Sequence, residues 1–257
     1  VARSGSSHPP ARVRIDTLLV ERGLAPTRSK AQALVLAGEV RVNGERVDKA
    51  GALVPADAKV VLTGRAALRY VSRGGLKLDG ALADLGVPVA GRVALDVGAS
   101  TGGFTDCLLQ TGAVRVYAVD VGRAQLAWRL RQDPRVVVFE GQDIRTLPAD
   151  AVPEPIDLGT VDVSFISLAK VLSSIRPFLR PGADLLALVK PQFEVGPAAV
   201  GKGGVVRDPV ARQAAVDRVA AAAVAGGFDV VGLAPSRLPG PKGNREVFLH
   251  LQRRVVD

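Results

Sequence analysis

The sequence holds one cysteine, Cys107, among 257 residues, so no intramolecular disulfide can form and the companions that a structural zinc site needs are missing. A reducing cytoplasm is the expected setting, with Cys107 as a buried, inert thiol. Long apolar runs are also missing. The longest, residues 219–228, falls well short of a membrane span, and the polar, arginine-bearing residues 1–14 lack the apolar centre of a secretory leader. Neither secretion nor membrane insertion is expected. There is no internal repeat, and the one biased tract is the alanine-rich stretch 219–225. With 47% hydrophobic and 23% charged residues, the composition excludes a disordered or fibrous chain and leaves room for two domains.

Positive charge is present and unevenly placed. Of the net charge of +9, most lies early: residues 1–80 carry 14 Lys/Arg against 7 Asp/Glu, whereas residues 81–257 carry 20 against 18. Such asymmetry points to a polyanion-binding module joined to a nearly neutral body, the competing reading being a solvated face that only aids solubility. Within the basic part, Ile15, Leu18 and Leu19 have helical spacing. Ala31, Leu34, Val35 and Gly38 form a second helical pattern, with Thr27 as its N-cap. Asn43-Gly44, flanked by Val40, Val42 and Val47, is a hairpin signal, because both turn positions need a positive φ that Asn and Gly tolerate. Residues 59–63 read as a third strand. This arrangement would gather Arg14, Arg22, Arg28, Lys30, Arg41 and Arg46 on a cationic face suited to phosphates, and Arg73 is a further candidate RNA contact.

Residues 12–65 carry Arg14-Ile15-Asp16, Leu18-Leu19-Val20, Arg22-Gly23-Leu24, Ser29-Lys30-Ala31 and Val40-Arg41-Val42-Asn43-Gly44. In these strings the segment resembles the S4-like RNA-binding domain. The resemblance implies structured RNA as a partner and leaves the reaction open.

Beyond residue 92 the pattern changes to apolar strands alternating with helices. Strands are expected at 93–97, 114–119, 136–139, 156–163, 185–189, 228–233 and 247–251, and helices near 76–85, 103–111, 124–131, 168–179 and 209–225. The predicted fold class is α/β, a Rossmann-like doubly wound sheet of seven strands over residues 74–257, reached through a linker at 66–73. Residues 195–208, around Lys202, read as a long irregular loop of the kind that often covers a substrate.

The first of these strands runs into Asp96-Val97-Gly98-Ala99-Ser100-Thr101-Gly102-Gly103-Phe104, where glycines let backbone approach a nucleotide. A dinucleotide fingerprint would read GxGxxG. Here the spacing is GxxxGG with a carboxylate two residues before the first glycine, which fits a methyltransferase loop better. Asp120, at the end of the second strand, can accept from both ribose hydroxyls of a nucleoside, and Asp143, after the third, could meet an adenine amino group. The candidate cofactor is S-adenosylmethionine, bound by Asp96, Gly98, Ser100, Gly102, Gly103, Phe104, Asp120 and Asp143. No metal is expected. Methylating a ribose hydroxyl needs a base and in-line positioning. Lys77, Asp162, Lys190 and Glu246 lie near predicted element ends on the cofactor side, although each alone is more often a solvated charge.

The strings Ser72-Arg73-Gly74, Gly98 to Thr105, Asp162-Val163-Ser164-Phe165-Ile166-Ser167, Val189-Lys190-Pro191-Gln192-Phe193-Glu194 and Gly203-Gly204-Val205-Val206 carry a second, longer resemblance. From about residue 12 to 251 the chain resembles the TlyA family of ribosomal RNA (cytidine-2'-O)-methyltransferases, also called hemolysins and related to the FtsJ type. The resemblance implies Lys77, Asp162, Lys190 and Glu246 as the catalytic set, and ribosomal RNA within ribosomal subunits as substrate. A monomer in the cytoplasm, without membrane contact, is expected. One departure from the family pattern is Leu68-Arg69-Tyr70-Val71, where relatives carry an Arg-Ala-Trp-Val type tetrapeptide. The alternatives are a catalytically silent RNA-binding ribosome-assembly factor and a membrane-lytic hemolysin. The second would need spanning helices or alternating amphipathic strands, and neither pattern occurs.

Overall fold

The computed structural model describes residues 12–255 except 23, 26, 64–68 and 241. The start of the expected linker, with Leu68, and residues 1–11 lie outside these. The chain divides into two compact units, Val1–Arg69 and Tyr70–Asp257.

In the first unit, β1 (Arg12–Arg14) leads directly into α1 (Ile15–Glu21), followed by α2 (Arg28–Leu36), β2 (Val40–Val42), β3 (Glu45–Arg46), β4 (Leu53–Pro55) and β5 (Val60–Leu62). Thr27 accepts from the Lys30 N–H and caps α2, as its position suggests. Asn43 and Gly44 take φ of 52° and 91°, closing the β2–β3 hairpin, and β5 pairs with the other edge of β2. The pairing of β1 with β4 is not visible in the sequence pattern, which reads residues 1–14 only as polar and arginine-bearing. Ile15, Leu19, Ala31, Val35 and Val40 close a small core of their own.

The second unit runs α3 (Arg73–Leu85), β6 (Val93–Val97), α4 (Gly103–Gln110), β7 (Arg115–Asp120), α5 (Trp128–Arg131), β8 (Val136–Glu140), β9 (Ile156–Val161), α6 (Leu172–Ile175), β10 (Leu179–Val189), α7 (Pro191–Glu194), α8 (Pro209–Ala225), β11 (Phe228–Pro235) and β12 (Val247–Arg253). Its seven strands lie in the order β11-β12-β10-β9-β6-β7-β8. β12 alone runs against the rest. The middle of the sheet is buried on both faces because its strands are largely apolar: in β10, Leu185, Ala187 and Val189 face one core while Leu186 and Leu188 face the other. Cys107 is fully buried in the second of these cores. Tyr70 and Val71, expected within the linker, are packed into this unit: a side chain at Gly75 would strike the Tyr70 ring, and the Val71 N–H donates to Asp106 at 2.7 Å.

Two expected helices are cut down. Residues 124–131 are helical only over Trp128–Arg131, because the Glu140 carboxylate takes the N–H groups of Ala124, Gln125 and Leu126. Residues 168–179 break into a 3-10 turn, the short α6 and a second 3-10 turn bearing Pro177, a residue that cannot donate within a helix. α8 matches its expected bounds, opened by Pro209 and capped by Asp208, which accepts from Val210 and Ala211. Among the described residues no helix is long and apolar enough to cross a membrane.

Chain order reverses at β6: β7 and β8 follow on one side and β9 and β10 on the other. In sheets of this kind ligands bind beyond the carboxyl ends of the strands at that reversal. The cofactor loop leaves β6 there, and Asp162 follows β9.

Candidate active site

Gly98 turns the chain out of β6 with φ of 84°, and a Cβ there would lie 2.6 Å from the Asp162 backbone oxygen. Only glycine lets the loop pass so close to the end of β9. The Asp162 N–H donates to the Val97 oxygen at 2.9 Å, so the cofactor loop and the Asp162 turn are joined backbone to backbone. Ser100 also takes a positive φ, 48°, and Gly102, at φ 92°, precedes the first residue of α4, Gly103. The Phe104 side chain points away from this loop into the core, 6.0 Å from the Phe248 ring centroid.

Beneath the loop, the Asp96 carboxyl is fully buried and accepts from Thr105 Oγ1 at 2.7 Å and Thr160 Oγ1 at 3.1 Å. Burial pushes its pKa up to about 7, against the pull of the two hydroxyls. Asp120 Oδ2 accepts from the Ser100 N–H at 2.8 Å, and its Oδ1 from the Gly122 N–H at 2.6 Å. A carboxylate so bonded keeps lone pairs for further donors. Asp143 is forked to Arg145, whose guanidinium holds it below the usual carboxylate range. Glu140 was not a sequence candidate. Burial raises its pKa, but Arg131 and the backbone N–H groups of Leu126, Ala124 and Gln125 outweigh that and hold it at about 2. It thereby fixes the segment that follows Asp120.

The four candidate catalytic residues form two ion pairs. Lys190, just beyond β10, lies 2.7 Å from Asp162 Oδ1 and donates to Ser164 Oγ at 2.8 Å. Lys77, on α3, lies 2.5 Å from Glu246 Oε2, just before β12. The antiparallel register pairs Val189 with Val247, so Lys190 and Glu246 are the next positions on neighbouring strands, and both pairs gather at the same end of the sheet. The first pair is partly open, with side chains 12% and 23% exposed, and the second is closed, at 9% and 0%.

Phe165, in the same turn as Asp162 and Ser164, is 92% exposed and holds φ at 66°. Its ring lies 5.2 Å from that of Phe193, centroid to centroid, at an interplanar angle of 51°. The sequence singles out this turn for its aspartate and gives no sign that its phenylalanine faces solvent.

Two of the candidate RNA-binding cations of the first unit, Arg14 and Arg28, are ordered by another residue the sequence did not flag. Asp16, fully buried, accepts from Arg14 through two nitrogens and from Arg28 and Gln32, and Arg14 chiefly holds its carboxyl well below the usual range. Arg14 and Arg28 remain 45% and 57% exposed. Arg22, exposed, donates to the Ala58 and Ala56 oxygens, and Arg41 donates to the Gly44 oxygen. Arg46 lies against Gly38, and Lys30 is half-buried. Arg73 is exposed at the start of α3, in the second unit.

Comparison with known proteins gives two family matches, FtsJ-like methyltransferase over residues 70–253 and S4 domain over residues 13–60. The chain is 50% identical over 239 residues to YqxC of Bacillus subtilis, covering 93% of this chain and 85% of the relative. It is 48% identical over 244 residues to the 16S/23S rRNA (cytidine-2'-O)-methyltransferase TlyA of Mycobacterium tuberculosis, covering 95% and 91%. A solved structure from Streptococcus thermophilus, named as a hemolysin, superposes with a TM-score of 0.75 at 44% identity, covering 96% of this chain and 90% of that one.

Proposed function

The chain belongs to the FtsJ-like methyltransferase family and carries an S4 domain, and from that premise we propose that it methylates the 2' hydroxyl of a cytidine in ribosomal RNA packaged in ribosomal subunits, using S-adenosylmethionine. The observation that carries this reading is the backbone junction of Gly98 with Asp162, which brings the glycine-rich loop against the Lys190–Asp162 pair. The residues fit the cofactor: Gly98, without a side chain, lets the loop pass close against the Asp162 backbone, and Asp120, fixed by two backbone N–H groups, keeps acceptor capacity for ribose hydroxyls. When bound, S-adenosylmethionine supplies an electrophilic methyl on a sulfonium.

An ammonium carries three N–H groups. Ser164 accepts from Lys190 Nζ and Asp162 stands beside it as an ion-pair partner, which leaves Nζ able to line up the ribose 2' oxygen. In its amine form Lys190 takes the hydroxyl proton at Nζ as that oxygen attacks, and Asp162, partly open to solvent, passes the proton to water. Lys77 and Glu246 complete the set as a closed pair beside it. Phe165 offers an exposed face on which an unstacked base can lie, holding its ribose at the site. In the first unit, Arg14 and Arg28, oriented by Asp16, meet RNA phosphates.

The test is to incubate methyl-labelled S-adenosylmethionine and the protein with each purified, unmodified subunit, with assembled ribosomes and with naked rRNA, then identify the labelled nucleoside. The expected product is 2'-O-methylcytidine, formed on packaged RNA in preference to naked RNA. Label on a base, or no label in RNA, overturns the reading.

A further inference from the structure

A separate cleft lies where the loop before α8 meets the turn before β12. It measures about 470 Å³ and is lined by Val205, Val206 and four cationic side chains, Arg207, Arg212, Lys242 and Arg245. Its walls are fastened together by Asn244, which is buried, accepts from the Val206 N–H at 3.0 Å and donates to the Gly204 oxygen at 2.8 Å. The Gly240 N–H donates to the Asn244 oxygen at 2.9 Å, closing the second turn. Lys242 folds over the first: its Nζ lies 3.5 Å from where a Cβ on Gly204 would stand.

Among the described residues, none of the four cations is paired with a carboxylate. The two nearby acids are engaged elsewhere. Asp208 caps α8, and Glu246, which directly follows Arg245, holds Lys77. Elsewhere in the chain, exposed arginines such as Arg135, Arg145 and Arg180 are matched with neighbouring aspartates. Four like charges gathered without counter-charge repel one another, and a polyanion relieves that repulsion. A cleft of this volume has room for more than a single small anion.

Resting on the RNA substrate proposed above, we propose that this cleft is a second RNA site, holding backbone phosphates of the strand that flanks the target ribose. Arg245 ties the cleft to the site, because it directly precedes Glu246 of the Lys77–Glu246 pair. The S4 domain then supplies affinity for the structured substrate, and the cleft sets the path of the reacting strand.

Binding of full-length protein to purified ribosomal subunits, measured across a salt series, tests this. The variants are the double Lys242→Gln/Arg245→Gln and the conservative Lys242→Arg. All change exposed side chains. The plot of log K against log salt should become shallower by about one per neutralised residue in the double variant, with affinity near physiological salt down by roughly tenfold or more. Lys242→Arg should bind as wild type, and all proteins should bind S-adenosylmethionine equally. An unchanged slope and affinity in the double variant overturns the cleft assignment, as does a loss of affinity that is the same at every salt concentration. If wild type binds subunits through the cleft but transfers no methyl to RNA, the cleft stands and the proposed reaction falls. If wild type methylates RNA and the double variant binds identically, the cleft alone falls.

Discussion

The two lysine–carboxylate pairs at the carboxyl end of the sheet have the same chemistry and different access to water. Lys77–Glu246 is closed on both sides, with the glutamate wholly buried, whereas Lys190–Asp162 is partly open and shares its lysine with the Ser164 hydroxyl. A closed pair holds charge and geometry but gives a proton no way out. An open pair can exchange protons with solvent and still point a lysine at a substrate. Under the function proposed above, the difference gives proton traffic to Lys190 and Asp162, and the fixing of β12 against α3 to Lys77 and Glu246.

The largest expected effect is on the open pair. Lys190→Ala should slow methyl transfer by about 100- to 10,000-fold, the range for losing a positioned acid or base, while thermal unfolding and calorimetric S-adenosylmethionine binding stay near wild type. Asp162→Asn should likewise lose transfer with a stability change under about 1 kcal/mol, as expected for a partly exposed ion pair.

The closed pair should respond in the opposite way. Lys77→Met leaves a buried carboxylate uncompensated, so denaturant unfolding should reveal a loss of about 3–5 kcal/mol. Lys77→Met/Glu246→Leu should recover most of it, because a well-packed apolar pair removes both buried charges. If Lys77→Met is as stable as wild type, the contrast between the pairs collapses.

Asp96, under the cofactor loop, adds a pH dependence. Its folded-state pKa of about 7 lies above the unfolded value of about 3.9, so the folded state holds a proton that the unfolded state has lost. The stabilising contribution is therefore complete below about pH 4 and is lost as pH rises to about 7. Relative to Asp96→Asn, wild type should lose on the order of 4 kcal/mol across that interval in denaturant titrations. A flat difference would mean that the carboxyl is charged in the fold throughout.

The smallest expected change is at Phe165. Phe165→Ala should weaken subunit binding by about 1–3 kcal/mol, the usual range for one base–aromatic stack, without altering cofactor affinity. Binding equal to wild type would remove the ring from the substrate's path.

The sheet was legible because its strands are largely apolar and its turns carry glycine, and the four charged residues were singled out as a set by the family resemblance, near predicted element ends. What could not be read depends on partners distant in sequence. Glu140 shortens α5 only because β8 carries it across to the N–H groups of residues 124–126. Asp16 reads as one more surface charge until Arg28 and Gln32 fold over it. The division of the four charged residues into an open and a closed pair is likewise absent from the sequence. It follows from which strand neighbours which, and from how deeply Glu246 is buried.

The most direct test of the assignment is Lys190→Arg, because a guanidinium keeps the charge and the donors but does not give up its proton. In a single turnover at pH 7–8, with labelled S-adenosylmethionine and bound ribosomal subunits, the variant should retain both ligands and transfer no methyl group. Appreciable transfer would contradict the account and leave Lys190 as a positioning cation, with the ribose proton passing directly to water.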